Sequence, residues 1–131
     1  MLTTPEDVRR YMLAHGWIAA DTPVRIEALS GGVSNQLWKI AGPDFRWVMK
    51  QALPKLKVRA DWYSDVRRIE RERAAMVALA PLLGAESVPQ VLYADEAEHV
   101  YVMTCAPEGA VPWKQQLMRG RFDRETARRA G

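Results

Sequence analysis

The sequence has little cysteine, no long apolar run and no large excess of charge of either sign. Its 131 residues include one cysteine, Cys105, which excludes an internal disulfide and gives no spacing for a metal site. No apolar stretch approaches the ~20 residues that cross a bilayer, and the first residues do not resemble a secretion signal. We therefore expect a soluble cytoplasmic protein without a membrane partner.

The distribution of charge argues against a nucleic-acid partner. The net charge is +3, from 19 basic and 16 acidic residues. Along residues 67–73 the basic and acidic side chains are interleaved, which is typical of a solvated helix face with paired charges. A composition of 48% hydrophobic and 27% charged residues is that of an ordinary globular chain, and the length suits one domain.

The first predicted element is a helix with clear end signals. Thr4 can cap it, Pro5 suits its first position and Gly16 its end, so we expect a helix over residues 5–15. Alternating apolar residues between turn-rich junctions then predict five short strands. They cover residues 24–29, 36–40, 46–52, 91–94 and 99–104.

A long helix is predicted between the third and fourth strands, over residues 64–83, with Ser64 as its cap. An apolar stripe at helical spacing should face the sheet. The stripe consists of Ile69, Met76, Leu79 and Leu83. Residues 111–119 and the segment after Asp123 predict two further short helices. The expected fold class is α+β, a five-stranded antiparallel sheet with one long packed helix, an N-terminal helix and a helical C-terminal segment.

The loop between the first two strands is a candidate phosphate site. Gly31 and Gly32 allow backbone N–H groups to approach an anion closely, and Ser34 and Asn35 add short polar groups. The same composition also suits an ordinary hairpin loop, and the residues alone leave that alternative open.

Lys50 is the most unusual residue of the predicted sheet. It lies in an apolar strand on the same face as Val48, where an unpaired charge is costly unless the side chain reaches solvent at an edge. On the long helix Glu72 borders the apolar stripe, whereas Glu70 lies on a different face. Kinases pair a strand lysine with a helix glutamate to hold nucleotide phosphates. A solvated role for Glu72 is the alternative.

The last predicted strand leads into a broken connector. Apolar residues up to Thr104 are followed by a segment interrupted at Pro107 and Gly109. Backbone groups released from a sheet at such a place could pair with a base, although a plain strand end has the same composition.

Taken in order, these motifs resemble one enzyme family. Residues 29–40 (LSGGVSNQLWKI) are similar to the nucleotide loop of methylthioribose kinases, and residues 50–54 (KQALP) to the segment after their strand lysine. Residues 69–76 (IERERAAM) resemble the helix of aminoglycoside phosphotransferases, and residues 88–92 (VPQVL) their strand entry. The resemblance covers about residues 25–110 and implies the ATP-binding N-terminal lobe of a kinase that phosphorylates a small-molecule hydroxyl.

The resemblance also implies a role for each residue. Lys50 would bind the α- and β-phosphates, Glu72 would position Lys50, and the loop would cover the phosphates. The loop residues are Gly31, Gly32, Ser34 and Asn35. Adenine would lie among Leu29, Leu37, Val48 and Met103, and its edge would pair with the Thr104 carbonyl and the Ala106 amide. The hinge carries one extra residue relative to the aminoglycoside enzymes, so these two assignments hold to within one residue.

The family's catalytic motifs are not found in the sequence. Neither His15 nor His99 begins a His-x-Asp, and Asp44 with Phe45 precedes Lys50, so that pair predicts a hairpin tip. The segment 122–131 resembles the start of the family's C-lobe helix. We therefore expect a fragment, truncated artificially or by an interrupted gene, that is inactive alone and has no catalytic residue or metal ligand. Mg²⁺ ligands and substrate contacts are expected in the missing lobe.

The expected organisation is an N-terminal helix over residues 1–20, a nucleotide-binding lobe over 21–104, and a hinge with the beginning of a truncated C-lobe over 105–131. The leading alternative is a non-catalytic module derived from a kinase lobe, which would use the sheet face for a protein partner or for regulation. A basic nucleic-acid-binding domain is a third and weaker alternative.

Overall fold

The computed structural model describes residues 1–30, 32–55, 59 and 62–130. The strands form one antiparallel sheet in the order β1-β2-β3-β5-β4. The elements are α1 Pro5–Ala14, β1 Arg25–Leu29, β2 Asn35–Ala41, β3 Arg46–Ala52, α2 Arg68–Leu83, β4 Val91–Asp95, β5 Val100–Thr104, α3 Trp113–Met118 and α4 Arg124–Ala130. The predicted α+β fold is confirmed, and every strand lies within one residue of its predicted bounds.

Helix α1 begins and ends at the predicted signals. The Asp7 N–H donates to the Thr4 hydroxyl at 3.1 Å, and the Asp7 carboxylate accepts the Thr4 N–H at 3.0 Å. This reciprocal pair satisfies two N–H groups that the first turn leaves without partners. Beyond the helix Gly16 adopts a φ of +66°, a conformation that glycine adopts without strain.

The two faces of the sheet differ in what covers them. One, which we call the α1 face, packs buried sheet residues such as Met49 and Val102 against Val8 and Met12 of α1. On the opposite α2 face Ala52 and Tyr101 pack against Ile69 of α2, and Val48 is the other buried apolar residue of the described strands. Because full burial of a large apolar side chain contributes about 1.5–3 kcal/mol, most of the hydrophobic stabilisation comes from the α1 face.

Helix α2 does not begin where the sequence predicts. It starts at Arg68, and Ser64 is not its cap; the Ser64 hydroxyl accepts the Arg68 guanidinium at 3.3 Å instead. The carboxylate of Asp65 accepts the Arg67 N–H at 3.0 Å and also bonds the Arg67 side chain. Asp65 therefore stabilises a turn ahead of the helix and competes with the cap inferred at Ser64.

The apolar stripe predicted along α2 is correct only in its first half. Ile69 is buried and Met76 is partly buried, but Leu79 is 42% exposed and Leu83 is 55% exposed. Pro81 lies inside this second half, and Gly84 ends the helix as predicted. Periodicity showed which residues share a helix face, but not how far the sheet extends beneath that face.

Two smaller features also follow the sequence. The Gly42 N–H donates to the Phe45 carbonyl at 2.9 Å, so Asp44 and Phe45 form the predicted hairpin tip. The Asp123 carboxylate accepts the Thr126 N–H at 2.8 Å and so caps α4.

Of the helices in the described ranges, none is long and apolar enough to cross a membrane.

A cluster of polar side chains at the edge strand β4 attaches α1 to the sheet. The Tyr11 hydroxyl donates to the Asp95 carboxylate at 2.6 Å, and His15 Nε2 lies 3.1 Å from the same oxygen. The other Asp95 oxygen accepts the Ala97 N–H at 3.0 Å. These bonds, led by that from Tyr11, hold the pKa of Asp95 below its ordinary value.

Removal of the Tyr11 hydroxyl should weaken this attachment. We expect Tyr11→Phe to lower the free energy of unfolding by about 1–3 kcal/mol near neutral pH, because the hydroxyl bonds an ionised carboxylate. Since the lowered pKa of Asp95 contributes stability above about pH 4, the difference between the two proteins should shrink as pH falls through and below that value. Urea unfolding of both proteins across this range measures it. A difference that grows with acidity would contradict this account.

Candidate functional site

The side chains of Lys50 and Glu72 form an ion pair on the α2 face. Lys50 Nζ lies 2.5 Å from Glu72 Oε1, and the lysine side chain is 14% exposed against 45% for the glutamate. β3 is the central strand of the sheet, so the Lys50 side chain has no nearby edge at which to reach water. Glu70 bonds Arg73 at 3.0 Å instead. The choice of Glu72 over Glu70 as the partner of Lys50 agrees with this geometry.

Tyr101 is a member of this site that the sequence reasoning missed. Its hydroxyl donates to Glu72 Oε1 at 3.0 Å, and it lies directly opposite Lys50 across the β3–β5 ladder. Burial, followed by the negative charge of Glu72, raises the pKa of Tyr101, so the hydroxyl keeps its proton and acts as donor. Alternation along β5 could have placed Tyr101 on the Lys50 face, but the strand register that brings them together is not readable from sequence.

The loop before β2 lies at the same end of the sheet. Ser34 and Asn35 line a cavity of about 160 Å³ together with Glu72 and Arg68. The Ser34 carbonyl accepts the Leu53 N–H at 3.0 Å, which fixes the loop beside the end of β3. Gly31, the first glycine predicted here, lies outside the described residues.

Nothing within the described chain explains why residue 32 is glycine. A Cβ built on Gly32 would lie 3.5 Å from the Asn35 carbonyl oxygen and 3.6 Å from a methyl of Leu37, which are ordinary contacts. Its φ is also outside the left-handed region that favours glycine. A methyl group at residue 32 would therefore fit beside the neighbouring residues without displacing them.

The four apolar residues assigned to the base share one face with Lys50. Leu29 pairs with Leu37 across β1 and β2, Leu37 pairs with Lys50, and Val48 pairs with Met103 across β3 and β5. Directly opposed residues of an antiparallel pair project from the same side of the sheet. Leu29, Leu37, Val48 and Met103 therefore form an apolar surface beside the ion pair.

The hinge residues lie apart from the ion pair. Thr104 and Ala106 line an open pocket of about 540 Å³, whose wall also includes Val88 and Pro89 and does not include Lys50. Thr104 lies three residues beyond Tyr101 along β5, which separates it from the lysine by roughly 10 Å. The geometry thus brings together the loop, the ion pair and the apolar residues, and places the hinge pocket at the far end of the same strand.

The Thr104 side chain changes the hydrogen bonding at the end of β5. The Thr104 N–H donates to the Gln90 carbonyl at 2.9 Å, but the returning Gln90 N–H donates to the Thr104 hydroxyl, also at 2.9 Å, and not to its carbonyl. The hydroxyl thereby takes the bond that a regular ladder would direct to the Thr104 carbonyl.

No group of three or more His, Cys, Asp or Glu side chains is placed to hold a metal ion within the described ranges. No family model matches the chain, and no curated protein matches it. The kinase resemblance therefore stays a prediction.

Loss of Glu72 should lower the free energy of unfolding more than loss of the Lys50 charge does. Glu72→Ala leaves a largely buried ammonium without its acceptor, so we expect a loss of about 1–3 kcal/mol in the free energy of unfolding, less than for a fully buried pair because Glu72 is partly solvated. Lys50→Met keeps the aliphatic stem and leaves a carboxylate that water can reach, so we expect almost no loss. Urea denaturation compares the two. Equal losses would contradict the asymmetric burial.

Proposed function

We propose that this chain is the nucleotide-binding lobe of a phosphotransferase that resembles the aminoglycoside phosphotransferase and methylthioribose kinase group. The substrate of the full enzyme would be a hydroxyl group of a small molecule, and ATP the phosphoryl donor. The observation that carries the proposal is the Lys50–Glu72 ion pair, formed on the face of the sheet that also presents the four apolar residues.

The ion pair suits the binding of phosphate. A lysine ammonium is a compact charge with three donors, and the Glu72 carboxylate accepts at 2.5 Å from it. The remaining donors can reach phosphate oxygens. Kinases use a strand lysine and a helix glutamate for this purpose, and a stability role gives no reason to retain a mostly buried charge in a central strand.

The surroundings of the pair suit the rest of a nucleotide. The apolar side chains beside Lys50 offer the flat, water-poor contact that a purine favours. The roughly 10 Å between Lys50 and Thr104 leaves room for a ribose between phosphates and base. The Thr104 hydroxyl satisfies the Gln90 N–H, which leaves the Thr104 carbonyl available to an exocyclic amine.

The described residues supply binding groups only. Within the described ranges, no group of three or more His, Cys, Asp or Glu side chains is placed to hold Mg²⁺, which would neutralise the phosphates. The proposal therefore assigns to these residues the positioning of ATP. The orienting base, the metal ligands and the substrate contacts belong to the remainder of the proposed cytoplasmic enzyme.

A protein-interaction module is the second candidate, and one observation favours it. Apolar side chains are exposed along the second half of α2 and on the C-terminal segment, including Leu82, Leu83, Met118 and Phe122. Such residues are typical of a surface that another domain or protein covers. This candidate gives no reason for a mostly buried Lys50 in the central strand of the sheet.

ATP binding to the 131-residue chain tests the proposal directly. We expect weak binding by calorimetry or chemical-shift titration, and a loss of about 10- to 100-fold in Lys50→Met, the range expected when a charged hydrogen bond is removed. Lys114→Met, which removes the same charge from exposed α3, is the control and should bind as the wild type does. Salt-sensitive binding to duplex DNA that Lys50→Met leaves unchanged would favour the nucleic-acid alternative.

Gly32 provides a second test that separates binding from folding. A Cβ at this position meets only ordinary contacts, so Gly32→Ala should leave the melting temperature unchanged or slightly raised. We expect weaker binding of ATP and unchanged binding of adenosine, because the methyl group would occupy space proposed for phosphates. The matched comparison is Gly16→Ala, at a φ of +66° just beyond α1 and away from the site, which should lower stability and spare binding. An unchanged ATP affinity in Gly32→Ala would remove the loop from the site.

A further inference from the structure

Glu72 has two partners from the sheet, and both contact the same carboxylate oxygen. Lys50 Nζ and the Tyr101 hydroxyl lie 2.5 and 3.0 Å from Glu72 Oε1. The two donors come from neighbouring strands at directly opposed positions of the ladder. The carboxylate is therefore fixed by two strands at once, while its other side faces solvent.

Tyr101 is well suited to fix a mobile partner. It is 1% exposed and packs with Ala52 and Ile69, so its ring has little freedom to move. A glutamate on a helix surface has many rotamers and is stabilised only weakly by an exposed ion pair. A rigid buried donor reduces that freedom without adding a second charge.

We propose that Tyr101 is a positioning residue of the nucleotide site, whose hydroxyl holds the Glu72 carboxylate against Lys50 before any ligand binds. This inference rests on the proposed function. The inference goes beyond the proposed function because Tyr101 on β5 would orient the ion pair in the ligand-free chain. Neither nucleotide binding nor a movement of α2 would be required. Lys50 would then meet phosphate already oriented, which lowers the ordering cost of binding.

The position of α2 follows from the same contact. Glu72 can reach Tyr101 only while the first turns of α2 lie on the sheet, where Ile69 is buried beside the tyrosine. In kinases the placement of the helix glutamate decides whether the strand lysine is oriented. The Tyr101 hydroxyl would favour the oriented arrangement in the ligand-free chain.

The first test uses the ligand-free chain and a double-mutant cycle. Tyr101→Phe removes only the hydroxyl and keeps the buried ring. If the hydroxyl bonds Glu72, the fall in melting temperature that Tyr101→Phe causes in the wild type should be reduced to about half or less in a Glu72→Ala background. Equal falls in the two backgrounds would overturn the inference without reference to any nucleotide.

The second test measures binding with ATP and adenosine as probes. We expect Tyr101→Phe to weaken ATP by about 3- to 10-fold, a typical effect of a residue that acts through another. Adenosine, which lacks phosphates, should bind the variant and the wild type equally. In a Lys50→Met background the Tyr101→Phe change should have no further effect on ATP.

Tyr11→Phe is the matched control, because it also removes a tyrosine hydroxyl bonded to a carboxylate, but on the α1 side of the sheet. It should lower stability and leave ATP affinity unchanged. Equal ATP affinity of Tyr101→Phe and the wild type would overturn the positioning role while the proposed function stands. Failure of the wild type to bind ATP, or an ATP affinity that Lys50→Met does not change, would overturn the proposed function and the positioning role with it.

Discussion

The charge of Lys50 constrains this structure more than any other single feature. An ammonium in the central strand of a small sheet cannot reach an edge, and an unpaired charge in that environment is costly. Glu72 of α2 pairs with this ammonium, and the hydroxyl of Tyr101 on the neighbouring strand donates to the same Glu72 oxygen. The start of α2 is therefore located by a polar contact as much as by burial of Ile69.

The two faces of the sheet differ in their balance of apolar and polar residues. The α1 face holds a dense core whose buried residues come from the N-terminal segment and from β2, β3 and β5, and the Tyr11–Asp95 contact lies at its edge. The α2 face has few buried apolar residues and keeps a charged pair, a cavity and an apolar surface. A scaffold stabilised mainly from one side can carry polar groups on the other, since buried ion pairs add little net stability. The exposed leucines on the second half of α2 lie beyond this region.

Much of the local structure could be predicted from the sequence because its causes are local. The Thr4 capping box, the glycine after α1 and the alternation that placed Val48 with Lys50 each depend on residues a few positions apart, and the structure has them as predicted. The Ser64 cap was wrong because Asp65, one residue later, forms a competing turn. The Leu79 and Leu83 burial was wrong because a helical stripe says nothing about the extent of the surface beneath it.

The order of the elements, the face on which Lys50 lies and the preference for Glu72 over Glu70 follow from short-range patterns that are readable in the sequence. The contact of Tyr101 with the pair is not readable there, since it depends on the register of β3 against β5, two strands separated by the whole of α2 and β4. The tertiary structure also decided that the hinge pocket lies apart from the ion pair, because the distance between them is set by strand pairing. Strand register depends on packing across the whole sheet, and no short stretch of sequence encodes that packing.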